Sequence, residues 1–109
     1  MPSRLRKSGT ESNLKRQVMK MLAAEYPGAM TRKRHGSVYS TAGDPDLTIL
    51  YRGIHVECEL KRIGEEPTPL QLHRLAEWGR AGAVTAVVHS VAEMRQVMQA
   101  LPVPAPVPA

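Results

Sequence analysis

The spacing of apolar residues predicts three amphipathic helices in this chain. In the first stretch, from Glu11 to about Tyr26, apolar residues recur every three or four positions, and Pro27-Gly28 follows. Such spacing places one apolar stripe along a helix, and the Pro-Gly pair ends the helix. The stripe consists of Leu14, Val18, Met21, Leu22 and Tyr26.

The other two helices each follow a residue that can cap an N-terminus. Thr68 precedes Pro69, and Gln71 occupies the capping-box position, so a helix is expected from Pro69 to the glycine-containing segment at residues 79–83. Ser90 is followed three residues later by Glu93, the same capping-box spacing, so the last helix is expected to begin there. The apolar residues of that last helix are Val91, Met94, Val97, Met98 and Leu101.

Alternating apolar and polar residues predict a β-hairpin in the middle of the chain. The alternation runs from Pro45 to Tyr51 and again from Ile54 to Lys61. Arg52-Gly53 between these runs fits a two-residue turn, because glycine tolerates the positive φ that such turns need. A later segment, Ala83 to His89, is almost continuously apolar and predicts a strand buried on both faces.

The order of these elements predicts the fold class. Residues 29–42 are basic and then small and polar, with room for one short strand around Ser37 to Ser40. The helix between the Ile54–Lys61 and Ala83–His89 strands is a crossover connection, so these two strands should run parallel, whereas the hairpin is antiparallel. We therefore expect an α/β protein of the mixed-sheet (α+β) kind, with helices on the faces of the sheet.

The hairpin turn also determines which charged side chains oppose one another. With Arg52-Gly53 as the turn, Asp46 lies opposite Glu59, where Cβ atoms are about 4.5–5.5 Å apart and two carboxylates repel. Lys61 lies on the same side as Glu59, but an exposed ion pair contributes only about 0–1 kcal/mol. A divalent cation resolves the conflict, because Mg²⁺ binds through one or two carboxylates, water and substrate phosphate. The first helix could add Glu11 as a third carboxylate.

Composition narrows the class of partner and the compartment. The 109 residues carry a net charge of +5, which favours a polyanionic partner such as nucleic acid. The single cysteine, Cys58, excludes an internal disulfide and a multi-cysteine zinc site. No run approaches the roughly 20 apolar residues of a membrane span, and nothing resembles a signal peptide. We expect a cytoplasmic protein with a basic arm at residues 1–9, a domain at 10–101 and a proline-rich disordered tail at 102–109.

Three of these segments together resemble the PD-(D/E)xK nuclease pattern, and in particular the small stand-alone VRR-Nuc domains of phage and bacterial proteins. Pro45-Asp46, then Glu59-Leu60-Lys61, then Gln71 follow the order of that motif. Glu11 occupies the acidic position of a similar first helix, so the resemblance covers about residues 10–101. It implies a restriction-endonuclease-like αβββαβ core, here with an extra C-terminal helix.

The resemblance implies metal-dependent hydrolysis of DNA phosphodiesters with Mg²⁺ or Mn²⁺, and no small-molecule cofactor. By position, Asp46, Glu59 and the backbone carbonyl of Leu60 would bind the metal together with Glu11. Lys61 would orient or help to deprotonate the attacking water, and Gln71 would complete the catalytic set. Isolated members include Holliday-junction resolvases of branched DNA, which implies a homodimer with two sites. A phage-encoded member would act in the cytoplasm of its bacterial host.

Simpler interpretations of single residues remain open. The capping box alone explains Gln71, and the favourable position of an acid in a first helical turn explains Glu11. Trp78 fits helix packing as well as base stacking. Glu57 is expected to be a solvated neighbour of the site or an acid that faces substrate.

The basic residues near the proposed site are the candidate contacts to a phosphate backbone. They are Arg32, Lys33, Arg34 and Arg62. The alternative function is a basic nucleic-acid-binding module without catalysis. The set of Asp46, Glu59 and Lys61 argues against that alternative, because a simple binder gains nothing from opposed carboxylates that face phosphates.

Overall fold

The computed structural model describes residues 11–34 and 41–102 and contains three helices and four strands within those ranges. The elements follow in the order α1 (Glu11–Glu25), β1 (Met30–Lys33), β2 (Leu47–Tyr51), β3 (Ile54–Leu60), α2 (Pro69–Arg80), β4 (Val84–Val88) and α3 (Val91–Gln99). In this part of the chain, no helix has the length and apolar character needed to cross a bilayer. The predictions for residues 1–9, for a strand around Ser37 to Ser40 and for the tail after Pro102 fall outside the described residues.

The four strands form one mixed sheet in the order β1-β2-β3-β4. The β1–β2 and β2–β3 pairs are antiparallel, whereas β3 and β4 are parallel and joined through α2. These findings confirm the mixed sheet and the αβββαβ order with an additional C-terminal helix.

The hairpin turn is formed by Arg52 and Gly53, as the sequence predicted. Both residues have positive φ, 50° and 88° respectively, as in the type I′ turns that match the twist of paired strands. Tyr51 pairs with Ile54 and Thr48 with Glu57. The register between β2 and β3 is therefore the predicted one.

Strand β1 is an element that the sequence did not reveal. Met30–Lys33 pairs with β2 along one side, and most of its residues are exposed. A four-residue strand at the edge of a sheet buries little side-chain surface, so selection leaves little alternation in its sequence.

Strand β4 is also an edge strand, and the prediction that it is buried on both faces is wrong. Val88 is its one fully buried residue, and Thr85 is exposed. A short, continuous apolar run indicates a strand but not its place in the sheet, because such a run fits a central strand and an edge strand equally well.

The apolar core lies on the face of the sheet that α1 and α3 cover. Its members are Leu14, Val18, Met21, Leu22, Leu47, Ile49, Val56, Cys58, Leu60, Val88, Met94 and Met98. Cys58 is fully buried, and its Sγ lies 3.9 Å from the sulfur of Met94. Burial, together with the negative charges of Asp46 and Glu59, raises the pKa of the Cys58 thiol. Cys58 is therefore a small core residue, as the sequence indicated.

His89, directly after β4, has an acceptor at each ring nitrogen. Nδ1 lies 3.1 Å from a carboxylate oxygen of Glu93, and Nε2 lies 3.0 Å from the carbonyl oxygen of Glu65. The hydrogen bond to Glu93, and then the one to the Glu65 carbonyl, raises the pKa of His89 above its ordinary value. The doubly protonated imidazolium is the form that can donate from both nitrogens.

We predict that His89 makes the folded chain less stable as pH rises. A raised folded-state pKa contributes stability fully below about pH 6.5, the unfolded value, and loses it as pH rises through the folded pKa. Urea unfolding of wild type and His89→Gln on both sides of this window should show wild type losing stability relative to the variant. An NMR titration that places the pKa of His89 at or below its unfolded value would contradict the prediction.

Candidate active site

Asp46 lies at the start of β2, next to the end of β3. Strand β2 begins at Leu47, which pairs with Cys58, so Asp46 stands one residue beyond the ladder on the side of Glu59 and Leu60. The backbone N–H of Leu60 donates to Oδ2 of Asp46 at 3.0 Å. The N–H of Arg34 donates to the carbonyl oxygen of Asp46 at 2.8 Å. Hydrogen bonds from two neighbouring segments thus fix Asp46, one at its side chain and one at its backbone.

Glu59 is buried in the adjacent strand, with Lys61 beside it. The side chain of Glu59 is 1 % exposed, and its Oε2 lies 3.9 Å from Nζ of Lys61, which is 13 % exposed. Burying a carboxylate costs several kcal/mol, and a nearby cation must offset this cost. The N–H of Lys61 donates to the carbonyl oxygen of Val88 at 3.0 Å, which keeps the chain beyond β3 alongside β4. The structure therefore brings Asp46, Glu59 and Lys61 to one end of the sheet.

The oxygen donors at this end of the sheet suit a hard divalent cation. Asp46 and Glu59 provide carboxylates, and Mg²⁺ characteristically uses one or two carboxylates while keeping several waters. Among the described side chains, which do not include that of Glu11, no three His, Cys, Asp or Glu residues are grouped as a metal cage. The residues present fit a cation held by two carboxylates and by ligands from water or substrate.

Glu57 is fully buried, so the expectation of a solvated or substrate-facing acid is wrong. Its Oε1 accepts a hydrogen bond from a guanidinium nitrogen of Arg34 at 2.8 Å. Its Oε2 accepts from the hydroxyl of Thr48 at 2.8 Å and lies 2.6 Å from Nε2 of His55. The reason is the position of α2, which packs on this face with the ring of Trp78 5.4 Å from that of His55.

Arg34 connects this buried carboxylate to the segment that carries Asp46. The nitrogen that donates to Glu57 also donates to the carbonyl oxygen of Pro45 at 2.8 Å. The guanidinium carbon lies 5.3 Å from the centre of the Trp78 ring, within the range of a cation–π contact. The backbone on both sides of the Pro45-Asp46 bond is therefore attached to Arg34.

Comparison with solved structures identifies the fold. One structure described as a VRR_NUC domain superimposes with a TM-score of 0.70 and 24% identity, over 84% of this chain and 97% of that chain. A second, described as a VRR_NUC domain protein, gives a TM-score of 0.68 and 21% identity, over 83% of this chain and 85% of that chain. The chain has the VRR_NUC fold. No family model and no curated protein matches the sequence.

In this VRR_NUC fold, Gln71 makes the capping box that the sequence allowed. Its side-chain oxygen accepts a hydrogen bond from the N–H of Thr68 at 2.9 Å, and its own N–H donates to the Thr68 hydroxyl at 3.2 Å. The cap explains the presence of Gln71 at the start of α2. A catalytic role for Gln71 stays a prediction.

The four predicted DNA contacts occupy different environments in the VRR_NUC fold. Arg34 is partly buried and paired with Glu57, and Arg62 forms an ion pair with Glu65 at 2.6 Å. Arg32 and Lys33 are exposed on β1. The last two have the accessibility that a phosphate contact needs.

The polar network of Arg34, Thr48, His55, Glu57 and Trp78 was not predicted from the sequence. One signal was present, because the hairpin register already set Thr48 opposite Glu57. His55 also lies on the same face of β3, two residues before Glu57. Arg34, directly after β1, and Trp78 in α2 come from segments whose positions against this face do not follow from local pattern.

We predict that Arg34→Gln lowers the free energy of unfolding by about 1.5–3 kcal/mol, because the buried carboxylate of Glu57 loses a charged donor. Urea unfolding of Arg34→Gln, Glu57→Gln and the double variant completes a cycle with an expected coupling energy of about 0.5–3 kcal/mol. Arg32→Gln, next to Arg34 but exposed, is the control and should change stability by less than about 0.5 kcal/mol. A coupling energy of zero would show that the Arg34–Glu57 contact contributes nothing to folding.

Proposed function

We propose that this chain is a metal-dependent endonuclease that hydrolyses DNA phosphodiester bonds. The observation that carries the proposal is the convergence of Asp46, Glu59 and Lys61 at the ends of β2 and β3, with Glu59 buried. The VRR_NUC fold and the net charge of +5 support it, since the partner of a basic protein is commonly polyanionic.

Asp46 and Glu59 would hold a Mg²⁺ or Mn²⁺ ion, with the Leu60 carbonyl and Glu11 as further ligands. When bound, the cation supplies the charge that polarises the scissile phosphate and lowers the pKa of a water. Lys61, 3.9 Å from Glu59, would orient the attacking water or help to remove its proton. The hydrogen bond from Leu60 N–H to Asp46 keeps one carboxylate oxygen fixed, which limits the positions that a cation can take.

The preferred substrate within this proposal is branched DNA of the Holliday-junction type. Resolution of a junction requires two symmetric cuts, which a homodimer with two equivalent sites provides. The place of action would be a cytoplasm that contains DNA, such as that of a bacterial host. A basic nucleic-acid-binding module without catalysis is the competing function, and the burial of Glu59 beside Asp46 speaks against it.

We predict that Mg²⁺ or Mn²⁺ supports cleavage of labelled DNA and that EDTA abolishes it. Lys61→Ala should lower the rate by at least about 10²-fold, the usual scale for loss of a group that moves or orients a proton. Asp46→Asn should also lower the rate, because it removes a carboxylate that would hold the cation. Lys20→Gln, which removes an exposed positive charge on α1, is the control for Lys61→Ala.

The substrates are a four-way junction, a flap and a plain duplex. Symmetric nicks in the junction would select the resolvase activity, whereas cutting of one strand at a flap would not. Absence of cutting on every substrate with either metal, or variants that cut like wild type, would refute the nuclease proposal. Melting curves of each variant show whether a lost activity reflects a lost fold.

The catalytic role of Gln71 can be separated from its capping role by comparison with Thr68. Thr68→Ala and Gln71→Ala each break the capping box and should cost about 1 kcal/mol of stability. We predict that Gln71→Ala also lowers kcat, whereas Thr68→Ala does not. Equal loss of activity in the two variants would assign Gln71 to the cap alone.

A further inference from the structure

A basic hollow lies between α1 and β1. It has a volume of about 320 Å³ and is lined by Ser12, Lys15, Arg16, Met19 and Lys33. Three of these five residues are cationic, and none is acidic. Such a lining attracts an anion, and its size admits a phosphate group.

The cations of the basic hollow differ from four other basic residues in the described parts of the chain. Arg34, Arg62, Arg74 and Arg95 each contact a glutamate carboxylate at 3.0 Å or less. By contrast, Lys15 and Lys33 form no ion pair with any of the described side chains, which do not include that of Glu11. Arg16 donates to the neutral side-chain oxygen of Asn13 at 2.9 Å, which orients its guanidinium without neutralising it. The charge of the basic hollow is therefore available to an external anion.

The strand geometry places the basic hollow at the same end of the sheet as Asp46. Lys33 pairs with Leu47, the residue directly after Asp46. Adjacent strands are about 4.8 Å apart and successive residues about 3.3 Å, so the backbones at Lys33 and Asp46 are separated by only a few ångströms. Neighbouring strand residues point to opposite faces, so Lys33 faces α1, whereas the next residue, Arg34, reaches the Glu57 side.

We propose that the basic hollow binds a backbone phosphate of the DNA, adjacent to the phosphodiester that is cleaved. The proposal rests on the proposed function, and Lys15, Arg16 and Lys33 provide the charge. Alternation along the strands puts Lys33 on the α1 side of the sheet and Glu59 on the Glu57 side, so a DNA strand bound at Asp46 and Glu59 would reach Lys33 by passing round this end of the sheet. Successive phosphates of one strand are about 3.4 Å apart along the helix axis. Ser12, in the first turn of α1, lies where the helix dipole also favours an anion. Phosphate contacts of this kind set the position of DNA without reading its sequence.

The test measures DNA affinity by fluorescence anisotropy across a range of salt concentrations, with EDTA present so that no strand is cut. The test variant is Lys15→Gln/Lys33→Gln. The control is Lys20→Gln/Arg80→Gln, which removes the same charge from two exposed positions that do not line the basic hollow. Each lost phosphate contact lowers the slope of log affinity against log salt by about 1. We expect the test variant to lose about tenfold in affinity and at least one unit of slope, and the control to keep the wild-type slope.

Equal losses in the two double variants would mean that net charge alone matters, and an unchanged slope in the test variant would mean that no phosphate lies in the basic hollow. Either result overturns the proposal, provided that both variants melt like wild type. In the cleavage assay, the test variant should lose kcat/KM through a higher KM, as expected for a contact that binds substrate and transition state equally.

The proposal for the basic hollow and the nuclease proposal can be refuted separately. A wild-type chain that never cuts, but whose salt slope depends on Lys15 and Lys33, refutes the nuclease proposal and leaves the phosphate contact standing. A wild-type chain that cuts, but whose test variant keeps its full slope, refutes the basic hollow alone.

Discussion

The two-residue turn at Arg52-Gly53 is the constraint on which the candidate site depends. Tyr51 pairs with Ile54, so the turn has two residues, both at positive φ, and it fixes the pairing of β2 with β3. A shift of one residue would exchange the two faces of β3 and bring its carboxylates into the apolar core. The same turn therefore sets both the packing of Cys58 against α3 and the position of Glu59 beside Asp46.

Two glutamates on one face of β3 have different surroundings, although they are only two residues apart. Glu57 is held by Arg34, Thr48 and His55, and its contacts fix the segment around Pro45. Glu59 lies at the end of the strand, near Asp46 and Lys61. A fully hydrogen-bonded buried carboxylate stabilises one arrangement of its neighbours. Glu57, the interior acid, thus supports the geometry around Glu59 at the candidate site.

Features that depend on local chemistry could be predicted from the sequence. Thr68 and Gln71 form their capping box within four residues, and the hairpin needs only its turn and two short strands. The exposure of β4 and the burial of Glu57 depend on where separate segments pack, which a one-dimensional pattern does not record. Strand β1 was missed for the same reason, since its pairing partners lie 14–20 residues further along the chain.

Three consecutive basic residues, two at the end of β1 and one directly after it, show how this limit affects a candidate site. Sequence proximity grouped Arg32, Lys33 and Arg34 as one DNA-contacting set, but alternation along the strand separates their side chains. The other positive charges of the basic hollow come from Lys15 and Arg16 on α1. Neither residue is near Lys33 in sequence, and both lie on a helix whose apolar stripe was its most evident feature.

The burial of Cys58 has a practical consequence for work on this protein. Its thiol is enclosed by the core and has a raised pKa, so little of it is present as the thiolate that reacts with alkylating reagents. Because the chain has no other cysteine, a cysteine introduced on the surface would be the one reactive thiol in the folded protein. A spin label or fluorophore could then be attached at a chosen position beside the basic hollow without first removing the native cysteine.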